Sequence, residues 1–515
     1  MAQQNSEDAF IAWMEANGAT LNGVRISRFS DCTGRGVAAT RALREGEVVV
    51  RIPEAMVLTP ESSSTAQPMR EIGLGPEEFD SPRLEREGLV LAVMAEQALG
   101  TRSKWACYLA ALPPPQELHC PILWSKDELA LLQGSSLLKN LLTPEDDAQE
   151  LPNMTDEHWE HVAVPFLEQN SSLGFGTTEA GKQAHRYASA LVAGFSFSLG
   201  RERVQAMVPF WDMLNHANPG EEGVRLNYDA DTHMLEMITT QAIKEGEQVF
   251  NTYGPIGNAE LLRRYGFVTD PNPFDGTTIH VETDRLAAMA LEISLPEHTG
   301  EGYHIMHALN LLSEAEILPE EGAEYEVPIS GSPPTQLLEA LRLLTMETKE
   351  LARLGRTLTA RGPRRRYQPL ARLRSSFAMS DEQARKIRLM LGELVRDALQ
   401  ARRKSPGLVG SASSKSTTIS DPRRRLAKAA LESECRCLEA LQTFSKGLDK
   451  EALQQELGSC HVWHNLALQR GRHLRDFMFS PYHKFAHTLL GRSPALAAMN
   501  CCNPDGTCSQ GGLAH

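Results

Sequence analysis

The chain has 515 residues, more than one hydrophobic core serves, so two or more domains are expected. A net charge of −14 speaks against general nucleic-acid binding and suits a basic partner such as a lysine-rich tail. No apolar run of membrane-spanning character occurs, and nine cysteines behind a start without a secretory leader point to reduced thiols rather than a disulfide framework. The expected compartment is therefore the nucleus or cytoplasm. Glu7 and Asp8 fit poorly with an Arg-rich, acid-poor transit sequence, so a chloroplast destination is disfavoured.

In chain order, a helix is expected from Ser6, with Phe10, Ile11, Trp13 and Met14 on one face, to Asn17-Gly18. Strand-like segments at 23–29 and 37–52 follow, divided by Gly34 and Gly36. Such glycines either shape a hairpin or, by lacking Cβ, let the backbone approach a ligand. After a loop at 61–80 come helices at 84–99 and 104–112, the second stopped by Pro113-Pro114-Pro115. Trp105 and Trp124 read as core residues.

The chemistry concentrates between residues 207 and 268, which read as an active site. Asp212, Asn215 and His216 follow the apolar run 207–210 and end at Asn218-Pro219-Gly220, a turn signal. Residues 233–243 alternate loosely, 244–247 turn, and 248–253 are rich in β-formers, which predicts two adjacent strands ending at Tyr253-Gly254. From Asn258 the period becomes helical through Leu261, Leu262 and Tyr265, until Gly266 closes the helix.

Three signatures together resemble the SET-domain methyltransferases, in the branch of the Rubisco large-subunit and ribosomal-protein lysine methyltransferases. The first is Thr33-Gly34-Arg35-Gly36, with the β-forming stretch that leads to Pro53. The second is Asp212-x-x-Asn215-His216, and the third Tyr253-Gly254 with Tyr265-Gly266-Phe267. The resemblance implies an α+β fold: a SET domain of short sheets over 1–270 with a helical insertion at about 61–205, then an all-α substrate-binding domain over 271–450. Helical patterns at 284–295, 303–312, 334–354, 381–399 and 424–444 agree with that second domain, and Leu337, Leu338, Leu341 and Leu344 have the spacing of a half-buried helix. A Gly/Ser-rich loop at about 403–422, between basic runs, is expected to be disordered, and 451–515 forms an extension with no motif we can interpret. A further basic cluster at 361–374 reads as a solvated face.

The resemblance further implies a protein-lysine N-methyltransferase that uses S-adenosylmethionine. Its partner would be a protein carrying the target lysine, such as a ribosomal protein, histone or transcription factor, and neither a membrane nor nucleic acid. Tyr253 corresponds to the catalytic tyrosine. Thr33, Gly34, Arg35, Gly36, Asn215 and His216 correspond to the cofactor site, with Asp212 near both the cofactor and the amine. Tyr265 and Phe267 correspond to the lysine channel. Relatives carry Ser-Arg where this chain has Gly194-Phe195, and that arginine helps hold the cofactor carboxylate; losing a charge-assisted pair weakens binding about tenfold or more unless Arg201 or Arg203 substitutes. Two alternatives stay open: a non-catalytic SET-like interaction module, and a methyltransferase acting on histidine. No metal is expected, because Cys501, Cys502 and Cys508, with His461 and His464 upstream, lack the regular ligand spacings of a zinc site.

Overall fold

The computed structural model describes residues 2–29, 34–71, 82–138, 159–170, 176–199, 204–229, 231–294, 301–314, 317–319, 321–352, 379–409 and 421–458. The chain forms two compact units. One takes Met1–Pro113 and His158–Pro255, the other Pro114–Glu157 and Ile256–Arg472.

The first unit opens with the helix Ala2–Ala16, then β1 (Thr20–Leu21), β2 (Val24–Phe29), β3 (Gly34–Ala39) and β4 (Val48–Pro53). Helices Pro82–Leu99, Ala106–Ala111 and Glu179–Phe195 follow, then the hairpin β5 (Ser196–Leu199) and β6 (Val204–Met207). β7 (Asn215–His216), β8 (Val224–Asp229), β9 (Met234–Thr239) and β10 (Gln248–Asn251) complete it. Two four-stranded sheets result, ordered β1-β4-β9-β8 and β2-β3-β10-β7.

The expectation that β9 and β10 are adjacent is thus corrected, since they lie in different sheets. The turn between them is responsible. Gly246, at φ 83°, reverses the chain, and its N–H donates to the Ala39 carbonyl at 2.9 Å, which hands the next residues to β3. Arg44-Glu45-Gly46-Glu47 builds the same turn between β3 and β4. In each, the closing glutamate accepts from the backbone N–H three residues earlier, Arg44 to Glu47 at 3.1 Å and Lys244 to Glu247 at 2.9 Å. β7 and β10 pair in parallel, Phe250 opposite Asn215 and Asn251 opposite His216. A parallel pair requires a crossover, and here β8 and β9 in the other sheet provide it.

The second unit is mainly helical, with Asn258–Tyr265, Thr283–Ser294, Glu301–Glu314, Thr335–Leu344, Asp381–Arg403, Asp421–Gly447 and Lys450–Gly458. The expectation of an all-α domain is corrected here, since β11 (Gly276–Val281) and β12 (Ala323–Pro328) form a two-stranded antiparallel sheet. Leu337, Leu338 and Leu341 pack into one core with Ile387, Leu391 and Leu438, so the spacing seen in the sequence is that of a buried face.

Three boundaries differ from the sequence reading. The chain enters the second unit at Ile256 rather than near 270, because the helix Asn258–Tyr265 is tied forward: Asn258 N donates to Asp275 Oδ1 at 2.8 Å and its Nδ2 to the Thr269 carbonyl at 2.8 Å. The insertion is also divided, and its residues 114–157 belong with the helical unit. There Ser136 donates through N and Oγ to the buried Glu434, which also pairs with Arg402 at 2.9 Å. Finally, Leu453 and Leu457 are core residues, so 451–457 is part of the helical unit rather than of an extension. In the segment expected to be disordered, Arg403 ends a helix, Pro406–Val409 forms another, and Ser405 Oγ donates to the Leu131 carbonyl at 2.7 Å. Residues 410–420, the basic cluster 361–374 and the tail 459–515 lie outside the described residues.

Candidate functional site

The site grows out of the sheet β2-β3-β10-β7. Met207 and Val208 are buried as the apolar run predicts, and the chain then enters a short turn, Trp211–Met213, through Phe210. Phe210 is fully buried at φ 73°, a backbone region that costs a non-glycine residue about 1–3 kcal/mol and that concentrates at functional sites. The turn delivers Asp212, Leu214, Asn215 and His216 within one short stretch.

Asn215 joins two strands. Its Nδ2 donates to the Arg35 carbonyl at 3.0 Å and to Gln248 Oε1 at 2.7 Å. Gly36 sits directly beneath that amide pair: a Cβ there would come within 2.5 Å of Gln248 Oε1 and 2.7 Å of Asn215 Nδ2. The glycine therefore serves close approach rather than turn geometry, which separates it from Gly34, whose φ of 69° is the constraint and whose surroundings are open.

His216 Nδ1 accepts from the backbone N–H of Tyr253 at 3.0 Å, so the ring proton sits on Nε2. Burial holds the imidazole down at about 4, and it is neutral at physiological pH. The two rings lie 5.1 Å apart, and the Tyr253 hydroxyl donates to the Leu214 carbonyl at 2.7 Å. Tyr253 is therefore fixed at both its backbone and its hydroxyl by the two residues that flank Asn215.

Asp212 is buried beside Arg35. Burial raises its carboxyl to about 7, against the opposing hydrogen bond from Tyr108 and the charge of Arg35. Tyr108 Oη donates to Oδ2 at 2.5 Å, while Oδ1 has no hydrogen-bond partner among the described residues.

Of the residues singled out in the sequence, Gly34, Arg35, Gly36, Asp212, Asn215, His216 and Tyr253 come together in the first unit, while Thr33 lies outside the described residues. Tyr265 and Phe267 belong to the second unit, with ring centroids 6.1 Å apart. Gly266 between them caps the helix Asn258–Tyr265 at φ 75°, and an added Cβ there would strike the backbone of His119 and Cys120. Gly194 and Phe195 close the helix Glu179–Phe195, and Arg201 and Arg203 lie outside the described residues.

Sequence reasoning missed Gln248 and Tyr108. Gln248 carried no signal, since its role depends on β10 lying between β3 and β7. Tyr108 did carry one: a tyrosine in an otherwise apolar helix buries a hydroxyl that must find a partner. Trp105 and Trp124 are core residues as expected, each donating its indole N–H to a backbone carbonyl at 2.8 Å.

The family model "SET domain" matches residues 34–254, which begins at the first glycine of the site and ends just after Tyr253. Residues 34–254 therefore match a SET domain. Beyond that domain, the chain is similar to named lysine methyltransferases. It is 29% identical over 336 residues to N-lysine methyltransferase SETD6 of Rattus norvegicus, a match that covers 61% of this chain and 64% of that relative's length. It is 26% identical over 284 residues to ribosomal lysine N-methyltransferase 4 of Saccharomyces cerevisiae, which covers 50% of this chain and 54% of the yeast protein. Among solved structures, the SET domain of LSMT bound to lysine and AdoHcy shares the fold, with a TM-score of 0.60 at 20% identity over 91% of this chain and 99% of that one.

No helix among the described residues is long and apolar enough to cross a membrane, and no cluster of His, Cys, Asp or Glu among them could hold a metal ion.

Proposed function

We propose that this SET-domain protein is a protein-lysine N-methyltransferase that uses S-adenosylmethionine. The observation that carries the reading is the parallel register of β7 on β10, which fastens Asn215, His216 and Tyr253 to one another over Gly36.

The residues present suit the cofactor. Asp212 Oδ1 and Asn218 Oδ1 are buried acceptors without partners among the described residues, and S-adenosylmethionine brings ammonium, hydroxyl and amino donors. Gly36 leaves room for backbone approach. Arg35 and Gln248 hold the Asn215 amide in one orientation, so the site is arranged before a ligand enters. When bound, S-adenosylmethionine supplies a methyl group on a positively charged sulfur.

Transfer to an amine is an in-line displacement. The amine nitrogen forms its bond to the methyl carbon as the carbon–sulfur bond breaks, and one proton leaves the methylated amine. A lysine in water has a pKa of about 10.4, and entry into an apolar channel favours the neutral, nucleophilic form. Tyr253, its hydroxyl held by the Leu214 carbonyl, is the residue we assign to the reacting atoms, and the family resemblance alone assigns Tyr265 and Phe267 to a lysine channel. His216, neutral at working pH, acts as a fixed acceptor for the Tyr253 backbone rather than as a base. Alignment then supplies the main part of the acceleration, since well-oriented reactants gain as much as roughly 7–11 kcal/mol.

The relatives are named an N-lysine and a ribosomal lysine methyltransferase, and the acidic balance of this chain favours a basic protein segment, of the ribosomal, histone or transcription-factor kind, as its substrate. The cysteine usage supports a reducing compartment, nuclear or cytoplasmic. The reading is tested by whether S-adenosylmethionine raises the melting temperature, as a ligand of the folded state must, and by whether digestion of a labelled product yields methyl-lysine. Label recovered on histidine would replace the lysine assignment; no thermal shift and no label would leave a partner-binding SET-like module.

A further inference from the structure

The short helix Ala106–Ala111, supplied by the insertion, grips the site in two places. Tyr108 Oη donates to Asp212 Oδ2 at 2.5 Å, and the Ala111 carbonyl, three residues on, accepts from the Arg35 guanidinium. Both contacts come from one short helix, one through a side chain and one through its last carbonyl. Arg35 passes the constraint on, because its own carbonyl accepts from Asn215 Nδ2 at 3.0 Å.

Tyr108 has no exposed surface, and burial together with the charge of Asp212 holds its hydroxyl protonated far above the ordinary tyrosine range. The shared proton therefore belongs to the tyrosine, and Asp212 is the acceptor. The charged and titratable groups facing Asp212 are Tyr108 from the insertion helix and Arg35 from β3, and both favour its carboxylate form, as do the backbone amides of Phe210 and Asp212. Asp212 is 8% exposed, and its second oxygen, Oδ1, is a buried acceptor with no partner among the described residues. An ionised carboxylate has only acceptor sites, so what completes it is an N–H or O–H donor, and a cationic nitrogen also compensates the charge.

We propose that Tyr108 is a positioning residue which, by holding Oδ2, presents Oδ1 of Asp212 to the ammonium nitrogen of a bound reactant. The proposal rests on the methyltransferase reading. Two reactants carry such a nitrogen: the amino-acid end of S-adenosylmethionine and the side chain of the target lysine as it arrives, before the proton loss that transfer requires. With Asp212 titrating at about 7, recognition strengthens as pH rises through neutrality. Without the Tyr108 hydroxyl the neutral acid is favoured, and the same rise in affinity is displaced to higher pH.

The test is calorimetric binding of S-adenosylmethionine to the full chain from pH 6 to 9, for the wild type, Tyr108→Phe and Asp212→Asn, with 5′-methylthioadenosine, which lacks the amino-acid end, as the comparison ligand. Transfer to free lysine is measured in parallel. If the cofactor's ammonium is the donor, wild-type affinity rises across pH 7, Tyr108→Phe moves that midpoint up by about one pH unit or more, and 5′-methylthioadenosine shows neither effect. If the lysine is the donor, cofactor affinity stays flat and the KM for lysine carries the same midpoint and the same shift. Asp212→Asn abolishes the midpoint in whichever readout shows it and weakens that binding about tenfold or more. Identical midpoints in the wild type and Tyr108→Phe, or a midpoint that survives in Asp212→Asn, overturn the proposal while cofactor binding stands. No binding of S-adenosylmethionine at any pH overturns the methyltransferase reading and this proposal with it.

Discussion

The backbone N–H of Tyr253 donates to Nδ1 of His216 at 3.0 Å, across the seam where β10 runs parallel to β7. The bond fixes which imidazole nitrogen carries the proton, and burial keeps the ring neutral to about pH 4. Four residues before His216, Asp212 is perturbed in the other direction, with burial raising its carboxyl to about 7. Both groups are pushed toward their uncharged forms by the same cause, removal from water.

Their effects on stability have opposite signs. The folded chain resists protonating His216, so that contribution is lost as pH falls from about 6.5 toward about 4. The folded chain resists ionising Asp212, so its contribution is present at low pH and lost as pH rises from about 4 through about 7. In the shared window the two offset each other in the wild type. His216→Asn is expected to uncover the Asp212 slope, with a melting temperature that falls relative to wild type as pH rises from 4.5 to 7. Asp212→Asn is expected to show the reverse slope. Parallel curves for all three proteins in differential scanning calorimetry would contradict the burial of both groups.

The two glycines of the first signature should respond differently to alanine. In Gly36→Ala the new Cβ meets the Gln248 and Asn215 amides at 2.5 and 2.7 Å, so the pair must part. An overpacking cost of about 1–3 kcal/mol and a loss of S-adenosylmethionine affinity of about tenfold or more are expected. Gly34→Ala meets no protein atom within 4 Å, and its φ of 69° alone costs about 1 kcal/mol of stability. Denaturant melts and calorimetric titration of both variants separate the two outcomes.

In the helical unit, Glu434 gathers Ser136, Thr277 and Arg402, its bond to Thr277 Oγ1 being 2.8 Å long. Glu434→Gln leaves the buried Arg402 guanidinium without its counter-charge, and about 3–5 kcal/mol of stability should be lost. The double variant Glu434→Gln, Arg402→Met should recover part of that loss, because the uncompensated charge is gone. Urea unfolding measures both; additive losses in the double variant would show that the two residues do not act as a pair.

How much of this was legible depends on how local the signal was. The helix closed at Gly266 was readable because Leu261, Leu262 and Tyr265 keep one period and the cap is a glycine in the left-handed region. The grouping of Asn215, His216 and Tyr253 was carried by the family resemblance, and the parallel pairing of β7 with β10 shows its physical basis. The placement of β9 and β10 in separate sheets was hidden, since alternation marks a strand but not its neighbour. The roles of Gln248 and Tyr108 depend on contacts 33 and 104 residues away in sequence, to Asn215 and Asp212, which periodicity does not report. The division of the insertion at Pro114 follows from Ser136 reaching Glu434, 298 residues distant.

The most direct test of the account is transfer of labelled methyl from S-adenosylmethionine into the proteins of a cell lysate, comparing the wild type with Tyr253→Phe and identifying the labelled residue. That substitution removes one hydroxyl, bonded to the Leu214 carbonyl at 2.7 Å, and leaves the His216 contact to the backbone intact. We expect a discrete labelled band bearing methyl-lysine with the wild type, and a loss of about 100-fold or more with the variant at little change in melting temperature. A band of equal strength from a folded Tyr253→Phe protein would contradict the role given to Tyr253.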